Sequence, residues 1–128
     1  MIKTTDIANL LYKACKQTDL EVYQFGNIPR SEVTAPRITI HVKSQSSETW
    51  WKKGFAEVNF SVPDIEDSAD LITLNEYERM AEKVLEFTDE YDGSLYKFEV
   101  DSTEILQDTQ FKCHYVNARV LYKVLNVK

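Results

Sequence analysis

The stretch Arg37-Ile38-Thr39-Ile40-His41-Val42-Lys43 decides the fold, because its hydrophobic period is two. Ile38, Ile40 and Val42 point one way, while Arg37, Thr39, His41 and Lys43 point the other, as in a half-buried strand. After the polar run Ser44 to Thr49 and the segment Trp50-Trp51-Lys52-Lys53-Gly54, a second alternation begins. Ala56, Val58, Phe60 and Val62 share one face; Glu57, Asn59 and Ser61 share the other. Two such runs joined by a polar connection predict an antiparallel hairpin. Its loop, about ten residues, is longer than a usual tight turn.

Working outward from the hairpin, Pro63 stops the second strand, and Asp64 to Asp70 forms an acidic connector. Thr73 and Glu76 then have capping-box spacing, which predicts a helix from there to about Thr88. Its apolar face carries Leu74, Tyr77, Met80, Ala81, Val84, Leu85 and Phe87, and Gly93 reads as its terminator. Upstream, Ile7, Leu10, Leu11 and Ala14 predict an amphipathic helix over about Thr5 to Gln17, with Thr4, Thr5 or Asp6 available as cap. Glu21 to Phe25 reads as a short strand, and the two-proline segment Asn27 to Pro36 as a loop. Downstream, Tyr96, Phe98 and Val100 alternate, and after a polar turn at Gln107 to Gln110 a strand-like run extends to Val124. Its apolar phase slips from Phe111, Cys113 and Tyr115 to Val116, Ala118, Val120, Tyr122 and Val124, which predicts a β-bulge and strong bending near Tyr115.

The expected architecture is therefore a single α+β domain over residues 1–128. It is a mostly antiparallel twisted sheet of about five strands with two helices packed on one face. The helices should cover the side carrying Ile38, Phe60, Phe98 and Val120. The opposite face, with Arg37, Thr39, Glu57, Asn59, Lys97 and Arg119, should be open to water or a polar partner.

Composition narrows the function. With 128 residues, 43% of them hydrophobic and 15 aromatic, the chain can bury a sizeable core. A net charge of -6 gives no chain-wide attraction to phosphate backbones or anionic lipid. No apolar run approaches the ~20 residues of a membrane span, and the N-terminal stretch does not read as a secretory signal. Cys15 and Cys113 are expected to be reduced and to behave as small apolar residues. Three glycines are too few for a Gly-rich phosphate loop.

Few residues suggest chemistry. The cluster Asp64, Glu66, Asp67 and Asp70 has the oxygen ligands a hard cation wants, but neither calcium-loop spacing nor a turn glycine, so it reads as a solvated acidic run. His41, His114 and Cys113 fall short of a zinc pattern, and Cys113 and His114 should face opposite ways on a strand. No metal, cofactor or catalytic residue is expected, and the chain does not read as an enzyme. Trp50-Trp51-Lys52-Lys53 invites two readings. Adjacent tryptophans on an extended chain project oppositely, so one lies off the core and, flanked by cations, suits a partner surface. Alternatively, one of them folds back as a lid on the sheet end. Leu121 and Leu125 lie opposite Val120, Tyr122 and Val124, which makes the last strand apolar on both faces. Either a loop or a second subunit would cover that side.

In element order the chain resembles the tail-terminator or tail-completion proteins of tailed phages and prophages. The likeness runs through the helix Ile7 to Ala14, the proline-containing loop before Pro36 to Val42, the hairpin strand Val58 to Pro63, the helix Leu74 to Thr88 and the closing strands Tyr96 to Val124. It implies a non-enzymatic virion protein that assembles as a ring, commonly a hexamer, at the head–tail joint. The long hairpin would make contacts between subunits and with the tube, giving Trp50, Trp51, Lys52 and Lys53 an interface role, and an acidic lumen would let DNA slide. Partners would be other copies and other tail or connector proteins, with no membrane and no sequence-specific nucleic acid. Localisation would be the bacterial cytoplasm, then the virion. The competing expectation is a stand-alone binding module that takes a peptide or small ligand on its open sheet face.

Overall fold

The structure, a computed structural model, describes residues 4–24, 26–43 and 53–126. In chain order the elements are α1 (Thr4–Cys15), β1 (Glu21–Gln24), β2 (Arg37–Val42), β3 (Lys53–Pro63), α2 (Leu71–Val84), β4 (Phe87–Tyr91), β5 (Ser94–Asp108) and β6 (Cys113–Asn126). The strands make one six-stranded sheet in the order β1-β2-β3-β6-β5-β4. β1 runs parallel to β2; every other neighbouring pair is antiparallel. The fold is α+β, as the alternating stretches predict, with one strand more than the five expected.

The helix side of the sheet is the face that the even positions of β2, β3 and β6 define. Ile38 pairs with Phe60, Phe60 with Val116, and Val58 with Ala118, and all five are buried. Directly opposed residues project to the same side, so these pairs stack into one apolar surface. α1 lays Ile7, Leu10, Leu11 and Cys15 into the core, and α2 adds Leu74, Tyr77, Ala81 and, just past its end, Leu85. Rings knit the layers: Phe60 lies 6.3 Å from Tyr77, and Phe98 lies 6.0 Å from Tyr122.

Four local expectations are corrected. α2 begins earlier than the capping-box spacing suggests: Asp70 is the N-cap, its carboxylate accepting from the Thr73 backbone N–H at 3.2 Å and from the Thr73 hydroxyl at 2.7 Å. α2 also ends at Val84, and Phe87 and Thr88 belong to β4. Asp92 and Gly93 both have positive φ, the geometry of a two-residue hairpin turn, so Gly93 closes the β4–β5 hairpin and does not terminate a helix. Phe87 stacks on its register partner Phe98 at 4.5 Å, a cross-strand contact that competes successfully with helical continuation. Finally, the chain is not bulged at Tyr115: β3 and β6 stay in register from Lys53↔Lys123 to Pro63↔Cys113. The irregularities lie between β5 and β6, where Asp101 is the extra residue of β5 and Leu125 of β6. The phase slip has another cause, which is that both faces of β6 are covered near its start.

That cover is the 26–36 segment, which crosses the sheet on the side away from the helices. The Val33 N–H donates to the Phe111 carbonyl at 3.0 Å, and Val33 is buried. Beneath it Arg37, Thr39 and Ser61 are buried too, so this end of the open face is not exposed to water as expected. The expected strand residue Phe25 lies outside the described residues.

Candidate functional site

Three of the residues singled out from sequence fall at one end of the sheet. Lys53 opens β3 opposite Lys123 of β6, and two residues further Phe55 stands opposite Leu121. Leu125, the bulge residue of β6, is 49% exposed, and Leu121 is half-buried. Trp50, Trp51 and Lys52 lie outside the described residues. Register adds Lys123, which sequence reasoning did not single out, and brings Lys97, expected on the open face, directly opposite it. Lys123 and Lys97 therefore form a row across β6 and β5 on the face away from the helices, level with the start of β3 at Lys53. Neither Lys97 nor Lys123 makes an ion pair with a described residue. Behind the row, the Arg119 guanidinium sits 4.0 Å from the centre of the Phe55 ring and reaches Asp101 at 3.7 Å. A cation–π contact of this kind covers an aromatic that the sheet leaves uncovered.

Further along the same face the side chains bond to one another. Asn117 donates to Asn59 at 2.7 Å, and Lys43 pairs with Glu57 at 3.5 Å. Beside the 26–36 segment lies an open cavity of about 380 Å³ with Arg30, His41 and Phe111 in its wall. Arg37 lies beside it. One Nη donates to the Pro29 carbonyl at 3.5 Å, the guanidinium faces the Phe111 ring at 5.9 Å, and the buried Nε has no hydrogen-bond partner among the described residues. Burial, reinforced by the Lys43 charge and opposed by Glu57, holds the His41 imidazole below its ordinary pKa, so neutral pH leaves it uncharged.

The acidic connector is divided between tasks. Asp64 Oδ1 and His114 Nδ1 are hydrogen-bonded at 2.6 Å, both side chains mostly buried, and the Asp64 N–H donates to the Lys112 carbonyl. Asp70 caps α2. Between them Ile65 and Ser68 exchange two backbone hydrogen bonds, of 2.8 and 2.9 Å, around Glu66 and Asp67. Among the described residues no group of three or more His, Cys, Asp or Glu is placed to hold a metal ion. The cysteine thiols are both buried, and burial pushes Cys15 up to about 12 and Cys113 up to about 11, so neither is a thiolate at neutral pH. No described helix is long and apolar enough to cross a membrane.

The chain matches no family model and no curated protein. Among solved structures it is similar to a protein that carries only a serial designation. The two superpose with a TM-score of 0.61 at 12% identity, over 97% of this chain and 94% of the other. At that identity the likeness concerns the fold alone, and it says that this arrangement of helices and strands is one that another chain adopts along nearly its whole length.

Proposed function

We propose that the protein is a non-enzymatic structural component of a tailed phage or prophage, assembling with copies of itself into a ring of the tail-terminator kind. The observation that carries this reading is the meeting of Lys53, Leu121 and Leu125 at one end of the sheet. The two leucines form an apolar step beside Lys97 and Lys123, which pair with no described residue, and subunit contacts favour that mixture over a solvated surface. The hairpin that ends there is the element which, in the resembling phage proteins, touches neighbouring subunits and the tube.

A second reading rests on a different observation. The open cavity beside the 26–36 segment, with Arg30 and His41 in its wall and the unsatisfied Arg37 beside it, favours a binding module for a small anionic ligand or an acidic peptide. Mass in solution separates the two. Light scattering over a dilution series up to millimolar protein is expected to show a species that grows with concentration towards a closed multimer. A strict monomer that binds carboxylate ligands in a thermal-shift screen would replace the ring reading with the module.

A further inference from the structure

The lysine row has no evident purpose inside one chain. Like charges directly opposite one another on a sheet are unfavourable, and neighbouring strands are ~4.8 Å apart, so Lys123 and Lys97 repel across β6 and β5. Glu99 and Glu90 flank the row at the next positions of β5 and β4. Neither is paired with its lysines in the structure.

The opposite end of β3 has the complementary character. Ten residues after Lys53, about 34 Å along an extended strand, Pro63 leads into the tight turn Ile65-Glu66-Asp67-Ser68. Glu66 and Asp67 have φ of 50° and 65°, so two non-glycine residues occupy the left-handed region in succession. That conformation costs energy in a residue with a Cβ, and the paired Ile65–Ser68 hydrogen bonds hold it. The result is a fixed knuckle carrying two exposed carboxylates and an Ile65 side chain that is 58% exposed. One end of the molecule thus offers cations beside exposed Leu125 and half-buried Leu121, and the other offers anions beside exposed Ile65.

We infer that copies of this chain join head to tail, the Ile65–Ser68 knuckle of one seated on the Lys123–Lys97 row of the next. Glu66 and Asp67 then neutralise the row, and Ile65 meets Leu121 and Leu125. This inference rests on the self-assembly reading and gives that assembly its polarity. A contact between two different patches is heterologous, and a heterologous contact closes into a ring when its rotation allows.

Two neutralised variants test it: Lys97→Gln with Lys123→Gln, and Glu66→Gln with Asp67→Asn. All four positions lie at the surface or are half-buried, and asparagine tolerates the left-handed backbone, so circular dichroism and thermal melting should match the parent. Each variant alone is expected to weaken association about tenfold or more in native mass spectrometry and light scattering. Raising the salt well above ~0.1 M should weaken the parent in the same way. Mixed in equal amounts, the variants should form a one-to-one heterodimer and stop there, because each supplies the intact end the other lacks. Variants that assemble as the parent does would overturn the head-to-tail contact and leave self-assembly standing. A parent that is monomeric at every concentration would overturn both.

Discussion

The face of the sheet away from the helices is treated differently at its two ends. Where Arg37, Ser61 and Tyr115 lie side by side, the chain covers its own sheet with the 26–36 segment, seals Val33 against Phe111, and buries polar groups in doing so. Where Phe55 and Leu121 lie side by side, the cover among the described residues is the Arg119 guanidinium over Phe55. The first end is interior and therefore held by packing. The second is surface, and packing holds it less tightly. The same face thus serves folding at one end, where polar side chains are buried beneath a segment of the chain, and stays at the surface at the other.

Matched deletions break the comparison open. Val33→Ala removes two methyl groups from a site that is 3% exposed and should cost about 2 kcal/mol in urea unfolding, transfer and cavity terms together. Leu125→Ala removes more atoms yet should change stability by less than about 0.5 kcal/mol, because the side chain is half in water already. Equal losses would mean that the two ends are equally packed and the contrast is false.

The connector at the covered end offers a sharper probe. Asp64→Ala leaves the partly buried His114 without its 2.6 Å partner and should cost about 1.5 kcal/mol. His114→Ala should cost a similar amount, and the double variant clearly less than the sum, since both remove the same bond. Additive losses would show that the two side chains stabilise the fold independently.

What was legible in the sequence follows from the range over which each signal acts. The β2 and β3 alternations and the α1 stripe are local patterns, and each specifies its element and its buried face within a few residues. β4 was hidden because Val84, Leu85 and Phe87 prolong a helical-looking stripe. The Asp92-Gly93 pair that marks a hairpin was available, but Gly93 by itself also suits a helix terminator. The apparent slip near Tyr115 was illegible for a different reason. A strand covered on both faces and a bulged strand give the same one-residue change of phase, and only the placement of a remote segment, 26–36, separates them. The candidate site shows the same division. Lys53, Leu121 and Leu125 can be noticed singly, whereas Lys97 and Lys123 join them only through strand register, which no local pattern of charges encodes.

Acidification tests the covered end from a third direction, with the smallest expected effect. His41 is held below its ordinary value of 6.5 by burial first, then by Lys43, with Glu57 pulling the other way. A histidine whose folded pKa is depressed takes up its proton more readily in the unfolded chain. The stabilisation is therefore complete above about pH 6.5 and is lost as the pH falls from there towards the folded value. Melting temperature should drop across that interval, and His41→Gln, which cannot gain the charge, should flatten part of the drop. Glu57→Gln should steepen it, because it removes the one nearby charge that favours the protonated ring. A profile unchanged by His41→Gln would place the imidazole in water, not half-buried in the wall of the cavity beside the 26–36 segment.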